Sequence, residues 1–330
     1  MIVDVHNDLL AELVHRRAEE RPFDRYWRAQ LDAGGVGLQV CPIYAADESS
    51  DDEAVRAGLR NAAAYLRLVA ESGERVVPVL RAADLDRLDG RLGVMLSLEG
   101  AEALGGDPEL IRVYRALGVR MASLTWNTRN AFADGLGVED DRGLSALGEE
   151  LVDSLAGLGI MLDLAHASQR TFDDVLARAP GASVLVSHAC CRAVHETPRN
   201  LSDDQLRAIA ARGGVVGMMA LPLTVDAGEP TIDRLVDHVD HAVATIGIDH
   251  VGLGADFMRQ LVRATNVTAV AGGLLPPGMA ADATIEQLEG PADYPNLVAA
   301  LRRRGYDGDA LDAILGGNFL RLFRAALPAV

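Results

Sequence analysis

The sequence predicts an α/β chain folded as a (β/α)8 TIM-type barrel, one domain over 1–330 with extra helices at its C-terminus. Three observations predict it. Eight short apolar runs alternate with longer amphipathic segments. No glycine-rich dinucleotide fingerprint follows the first run, which argues against an open doubly wound sheet. His, Asp and Glu recur at the C-terminal ends of the runs, the ends a barrel gathers on one rim.

The strand-like runs are 2–8, 36–45, 93–100, 119–126, 159–166, 183–190, 214–222 and 250–257. A further run at 75–80 contains a proline and reads as an edge or connecting piece. Helical periodicity is clearest over 52–71, 143–157, 202–212 and 231–246. Ser202-Asp203-Asp204-Gln205 has the form of a capping box. Residues 259–290 are irregular, with Gly272-Gly273 and Pro276-Pro277-Gly278, and follow the last barrel strand. They read as an active-site lid or as a tolerated surface insertion. Helices near 293–304 and 308–326 close the chain.

At 330 residues and 49% hydrophobic content, the chain buries a large core. A formal charge of -17 argues against nucleic acid or an anionic membrane as partner and favours a small molecule. No apolar stretch reaches the roughly 18 residues of a membrane span. The N-terminus has no secretory leader pattern. Three cysteines, Cys41, Cys190 and Cys191, make no disulfide framework and fit a reducing compartment, so a cytoplasmic location is expected. The adjacent pair reads as a packed strand end. The chain has no lysine, which excludes a Walker A loop, a lysine Schiff base and a carboxylated-lysine metal bridge.

The candidate chemistry lies at the run ends. His6 and Asp8 end the first, Glu99 the third, His166 the fifth, His188 the sixth and Asp256 the eighth. Residues two apart on a strand share a face, so His6 and Asp8 project together. Each of these residues, taken singly, has a structural reading as a cap, a core histidine or an ion pair. Their joint placement favours metal. Three His and three carboxylates at one rim suit two zinc ions. A workable division puts His6, Asp8 and Glu99 on one ion and Glu99, His166 and His188 on the other, with Glu99 bridging. Such a pair, about 3.5–4 Å apart, acidifies a shared water and polarises a carbonyl. The remaining histidines read as surface or structural.

The ordered motifs extend further. They are Asp4-Val5-His6-Asn7-Asp8, Leu98-Glu99-Gly100, Leu162-Asp163-Leu164-Ala165-His166, Ser187-His188, Arg199-Asn200-Leu201 with Asp203-Asp204, and Gly252 to Phe257. Tyr294-Pro295-Asn296-Leu297 and Gly317-Asn318-Phe319-Leu320-Arg321 complete the set. With these the chain resembles the renal (membrane) dipeptidase family of zinc peptidases, in the amidohydrolase superfamily. The resemblance implies a binuclear zinc hydrolase in which a metal-bridging hydroxide attacks the amide of a small dipeptide. Asp256 maps onto the aspartate that handles the proton, and Arg199 onto the arginine that binds the substrate carboxylate. The resemblance also suggests a homodimer.

Three departures bear on the substrate. The family often carries a histidine after the fourth strand, where this chain reads Thr125-Trp126-Asn127. Trp126 donates one hydrogen bond but carries no charge, and losing an oxyanion donor costs roughly 3–4 kcal/mol unless another group substitutes. Asn127, Arg129 and Asn130 are the candidates, and Trp126 and Asn127 are assigned to the substrate. The family's Asp-Phe-Asp-Gly appears as Asp256-Phe257-Met258-Arg259, and the seventh strand ends in Met218-Met219-Ala220 in place of an aromatic residue. Two alternatives stay open: an amidohydrolase for an N-acyl amino acid, lactone or cyclic amide, and a non-catalytic metal-binding barrel.

Overall fold

The computed structural model describes residues 1–265 and 275–329. Its strands are β1 (Ile2–Asp4), β2 (Val36–Tyr44), β3 (Val76–Pro78), β4 (Leu92–Glu99), β5 (Val119–Ser123), β6 (Met161–Asp163), β7 (Val184–Ala189), β8 (Val216–Met218) and β9 (Val251–Leu253). All pair in parallel. The sheet order is β2-β1-β9-β8-β7-β6-β5-β4-β3, and the additional β2–β4 pairing closes an eight-stranded ring. This is the TIM-type (β/α)8 barrel.

The ninth strand stands outside that ring. β3 pairs with the start of β4 (Leu92–Val94), and β5 takes over the same edge from Leu96 onward. Pro78 ends β3, which suits a residue that cannot donate to a ladder.

Several helices begin where a hydroxyl accepts a free backbone N–H. Ser50 caps Asp51–Ser72, Ser145 caps Ala146–Gly157, Ser168 caps Gln169–Arg178, and Thr231 caps Ile232–Ile246. Ser202 and Gln205 form the expected reciprocal capping box at the start of Asp203–Ala211. The cap explains a difference from the periodicity, which starts a helix at 143. Ser145 holds extended backbone, so the helix begins at Ala146, three residues later.

Two clusters make the core. One lies between the strands and the surrounding helices. In the other, Phe319 and Phe323 of the last helix, Asn318–Ala326, share a cluster with Val3, Leu38, Met95, Met121, Met161 and Leu185. Phe319 lies against Gly252, where a Cβ would strike its ring. The C-terminal helix thus packs against the strand-borne core and leaves the strand ends to the site.

Residues 259–265 of the irregular segment form a helix, tied by Arg263 to Asp282 at 2.9 Å. Gly272-Gly273 lie outside the described residues. No helix among the described residues is long and apolar enough to cross a membrane.

Candidate active site

Most strands are shorter than the apolar runs, and the difference positions the site. His6 and Asp8 sit beyond β1, not on it. Asp4 ends the strand because its Oδ1 accepts the N–H of His6 and of Ala255, each at 3.2 Å. That carboxylate turns the chain out of the ladder and ties the end of β1 to the end of β9. Asp163 repeats the device at β6. Its Oδ1 accepts from Ala165 N at 3.0 Å and from Ser187 N at 2.9 Å, joining the loop of His166 to the strand of His188. Both aspartates stand within the sequence motifs, where local pattern assigns them no role. An Asp two or three residues before a rim histidine is the signal that finds them.

Two rim residues take left-handed backbone, His166 at φ 64° and Asp256 at φ 57°. Side chains bearing a Cβ adopt this conformation at a cost of about 1–3 kcal/mol, and such strain concentrates at functional sites. Glu99 and His188 lie within β4 and β7. Gly217 and Gly254 let β8 and the end of β9 crowd the Ser187 carbonyl, since a Cβ at either would strike it.

The six metal-site and acid candidates converge. Nε2 of His166 and Nε2 of His188 are 2.9 Å apart, and Glu99 Oε1 lies 3.1 Å from the first and 3.5 Å from the second. Glu99 turns its other oxygen, Oε2, to His6 Nε2 at 3.4 Å. Asp8 and Asp256 reach the same His6 nitrogen at 4.0 and 3.9 Å. Two groups of metal-capable atoms result, His6-Glu99-His188 and His6-Asp8-Asp256. The rings of His6 and His188 stack at 3.7 Å.

The donor set fits metal ions. Burial holds the His166 and His188 imidazoles well below their ordinary pKa, with the Arg199 guanidinium adding to it, so both are neutral. His166 Nδ1 faces the Asn127 oxygen at 2.7 Å, so its proton sits there and the Nε2 lone pair points inward. Lone pairs and a carboxylate oxygen thus crowd together at 2.9–3.5 Å. Tetrahedral zinc with nitrogen ligands separates its donors by about 3.3 Å. His6 Nδ1 and Nε2, Asp8 Oδ1 and Asp256 Oδ1 are buried and carry no hydrogen bond. Burial raises Glu99 to about 8 and Asp256 to about 8, and burial with the nearby Glu99 charge raises Asp8 to about 7. A cation would relieve each of these costs.

Arg199 stands over the centre. Its Nη2 donates to the His188 carbonyl at 2.7 Å and lies 3.1 Å from His166 Nε2. Its Nε and Nη1 make no hydrogen bond among the described residues, the nearby charges of Asp256 and Glu99 attract the guanidinium, and Arg199 lines the cavity above the rim. That cavity holds about 300 Å³ and also reaches Asp8, Glu99, Trp126, Asn127, His166 and Asp256. Trp126 packs edge-on against Tyr44 with ring centres 5.4 Å apart and sits 6.1 Å from the His166 ring. Asn127, assigned from sequence to the substrate, spends its oxygen on His166. Arg129 binds Asp134 and Asn130 binds Glu102, so neither is turned to the cavity as an oxyanion donor.

His238, His241 and His250 serve the scaffold. His238 is fully buried between the Cys191 N–H at 3.0 Å and the Val225 carbonyl at 2.9 Å. His241 pairs with Asp203 and His250 with the Gly214 carbonyl.

Comparison with known proteins places this geometry in a family. The model of the membrane dipeptidase family (peptidase family M19) matches residues 1–271. Dipeptidase verJ of Clonostachys rogersoniana is 33% identical over 71% of this chain and 55% of its own length. Dipeptidase 3 of Rattus norvegicus is 29% identical over 98% of this chain and 64% of its own length. The chain therefore spans less than two thirds of these curated relatives. A metallo peptidase from Rhodobacter sphaeroides, solved with a phosphinate mimic of the dipeptide L-Ala-D-Ala, superposes with a TM-score of 0.83 at 25% identity. That match covers 98% of this chain and 99% of the other. The barrel, the rim residues and the family model agree, and the chain belongs to the membrane dipeptidase family.

Proposed function

We propose that the chain is a binuclear zinc hydrolase that cleaves the amide bond of a dipeptide. The observation that carries this reading is Glu99, which offers Oε1 to His166 and His188 and Oε2 to His6. His6, Asp8 and Glu99 would hold one ion, and Glu99, His166 and His188 the other. When bound, the pair supplies Lewis-acid polarisation of the scissile carbonyl and acidifies the attacking water.

The chain's own residues supply the rest. Arg199 takes the terminal carboxylate through the nitrogens it has left over, a task suited to a guanidinium fork. Asp256, buried beside His6, accepts a proton at Oδ1 and passes it to the departing amine nitrogen. Asn127 keeps the His166 lone pair directed at the centre. Trp126 and Tyr44 form a wall that keeps water from the bound amide. The three buried free thiols support action in a reducing compartment.

The test is a dipeptide panel, including L-L and L-D pairs and carboxyl-amidated controls, given to zinc-loaded protein with and without chelator. Chelator-sensitive cleavage that requires the free carboxylate is the expected result. Equal cleavage of amidated controls would favour an amidohydrolase for uncharged amides. Bound zinc with no turnover of any amide or ester would leave a non-catalytic metal-binding barrel.

A further inference from the structure

The wall of the cavity between Arg199 and the β9 end is apolar. Met219, Leu221 and Leu223 follow β8 and line it, each nearly buried. Met258 and Leu261 continue the same wall after β9. β8 is the ring neighbour of β7, whose following loop carries Arg199. The cavity is also lined by the exposed acids Asp47 and Glu48 and by the exposed Arg60.

This arrangement orients a substrate. A carboxylate held by Arg199 sits next to the β8 sector, and the carbon bearing that carboxylate also bears the side chain of the carboxyl-terminal residue. That side chain therefore enters the part of the cavity that Met219, Leu221 and Leu223 line. The free ammonium end has Asp8, Asp47 and Glu48 as complementary charges in the same lining, against the single cation Arg60 there besides the anchor. A charged side chain on the aliphatic wall would lose its hydration without gaining a partner. An apolar one would gain the burial.

We propose that the enzyme selects dipeptides whose carboxyl-terminal residue carries a large apolar side chain, and that Met219, Leu221 and Leu223 form its seat. The proposal rests on the dipeptidase reading above and on Arg199 as carboxylate anchor.

The experiment holds the first residue constant as alanine and varies the second through glycine, alanine, leucine, phenylalanine, glutamate and lysine. For zinc-loaded protein, kcat/KM rises about tenfold to a hundredfold from Ala-Gly to Ala-Leu, with Ala-Glu and Ala-Lys poorest. In Leu221→Asn and Leu223→Asn the Ala-Leu to Ala-Gly ratio falls by about tenfold. The ratio is independent of the fraction of active protein, so partial misfolding does not imitate the effect. A flat wild-type series, a preference for the charged residues, or a ratio unchanged in both variants overturns the proposal. If no dipeptide is cleaved, free glycine, leucine and glutamate are compared as ligands of the zinc-loaded protein by thermal shift. Tighter binding of leucine would support the seat although the dipeptidase reading had failed, and equal binding would overturn both.

Discussion

The side-chain oxygen of Asn127 lies 2.7 Å from Nδ1 of His166, and both residues are buried. The contact spans two strand ends, since Asn127 follows β5 and His166 follows β6. An amide oxygen only accepts, so it fixes the ring proton on Nδ1 and leaves Nε2 a lone pair, which faces Arg199 Nη2 at 3.1 Å and is suited to an ion. Asn127→Ala should weaken zinc binding by about 10–100-fold, read by competition with a chelating dye. Asn127→Asp, which keeps an acceptor, should retain most of the affinity. If Asn127 instead contacts substrate, KM rises while zinc affinity stays unchanged.

Zinc loading should release protons and strengthen with pH. Burial raises the carboxyls of Asp8 to about 7 and of Glu99 and Asp256 to about 8, so the metal-free protein holds protons there near neutrality. A carboxyl with a raised folded pKa contributes stability at low pH and loses it as pH climbs through 7 to 8. Zinc requires the ionised ligands and removes that loss. The gap in melting temperature between zinc-loaded and metal-free protein should therefore widen from pH 5 to pH 8. A constant gap would contradict it.

Asp256→Asn should reduce turnover by about 10²–10⁴-fold, the usual range for a positioned proton carrier. The amide keeps the volume and polarity of the carboxylate but takes up no proton from the water. Zinc content, measured by elemental analysis, should stay at the wild-type value. Retained turnover would remove Asp256 from the proposed role.

His238 should stay neutral well into acid. Its Nδ1 accepts the Cys191 N–H and its Nε2 donates to Val225, and burial lowers its pKa to about 4. A depressed histidine contributes its stability above the ordinary value near 6.5 and loses it as pH falls toward 4, a change of about 3 kcal/mol. An NMR titration of the imidazole checks this. An ordinary midpoint would refute it.

Much of this molecule was legible in the chain. Alternation of apolar runs and amphipathic segments specifies a barrel because each pattern buries only one face, and Pro78 marks the run that falls outside the ring. The rim residues were also legible, because a parallel barrel carries every strand end to the same side. Local patterning could not say where each strand stops. Asp4 and Asp163 end their strands by accepting N–H groups from partners as far away as Ala255 and Ser187, contacts that exist only once the ring has closed. The same holds for Asn127. Its residue type suits substrate and histidine equally, and only the neighbouring strand's position delivers the His166 ring to it. Side-chain chemistry and periodicity are local properties of the chain. The partner each group finds is set by tertiary closure, which brings distant residues to within one hydrogen bond.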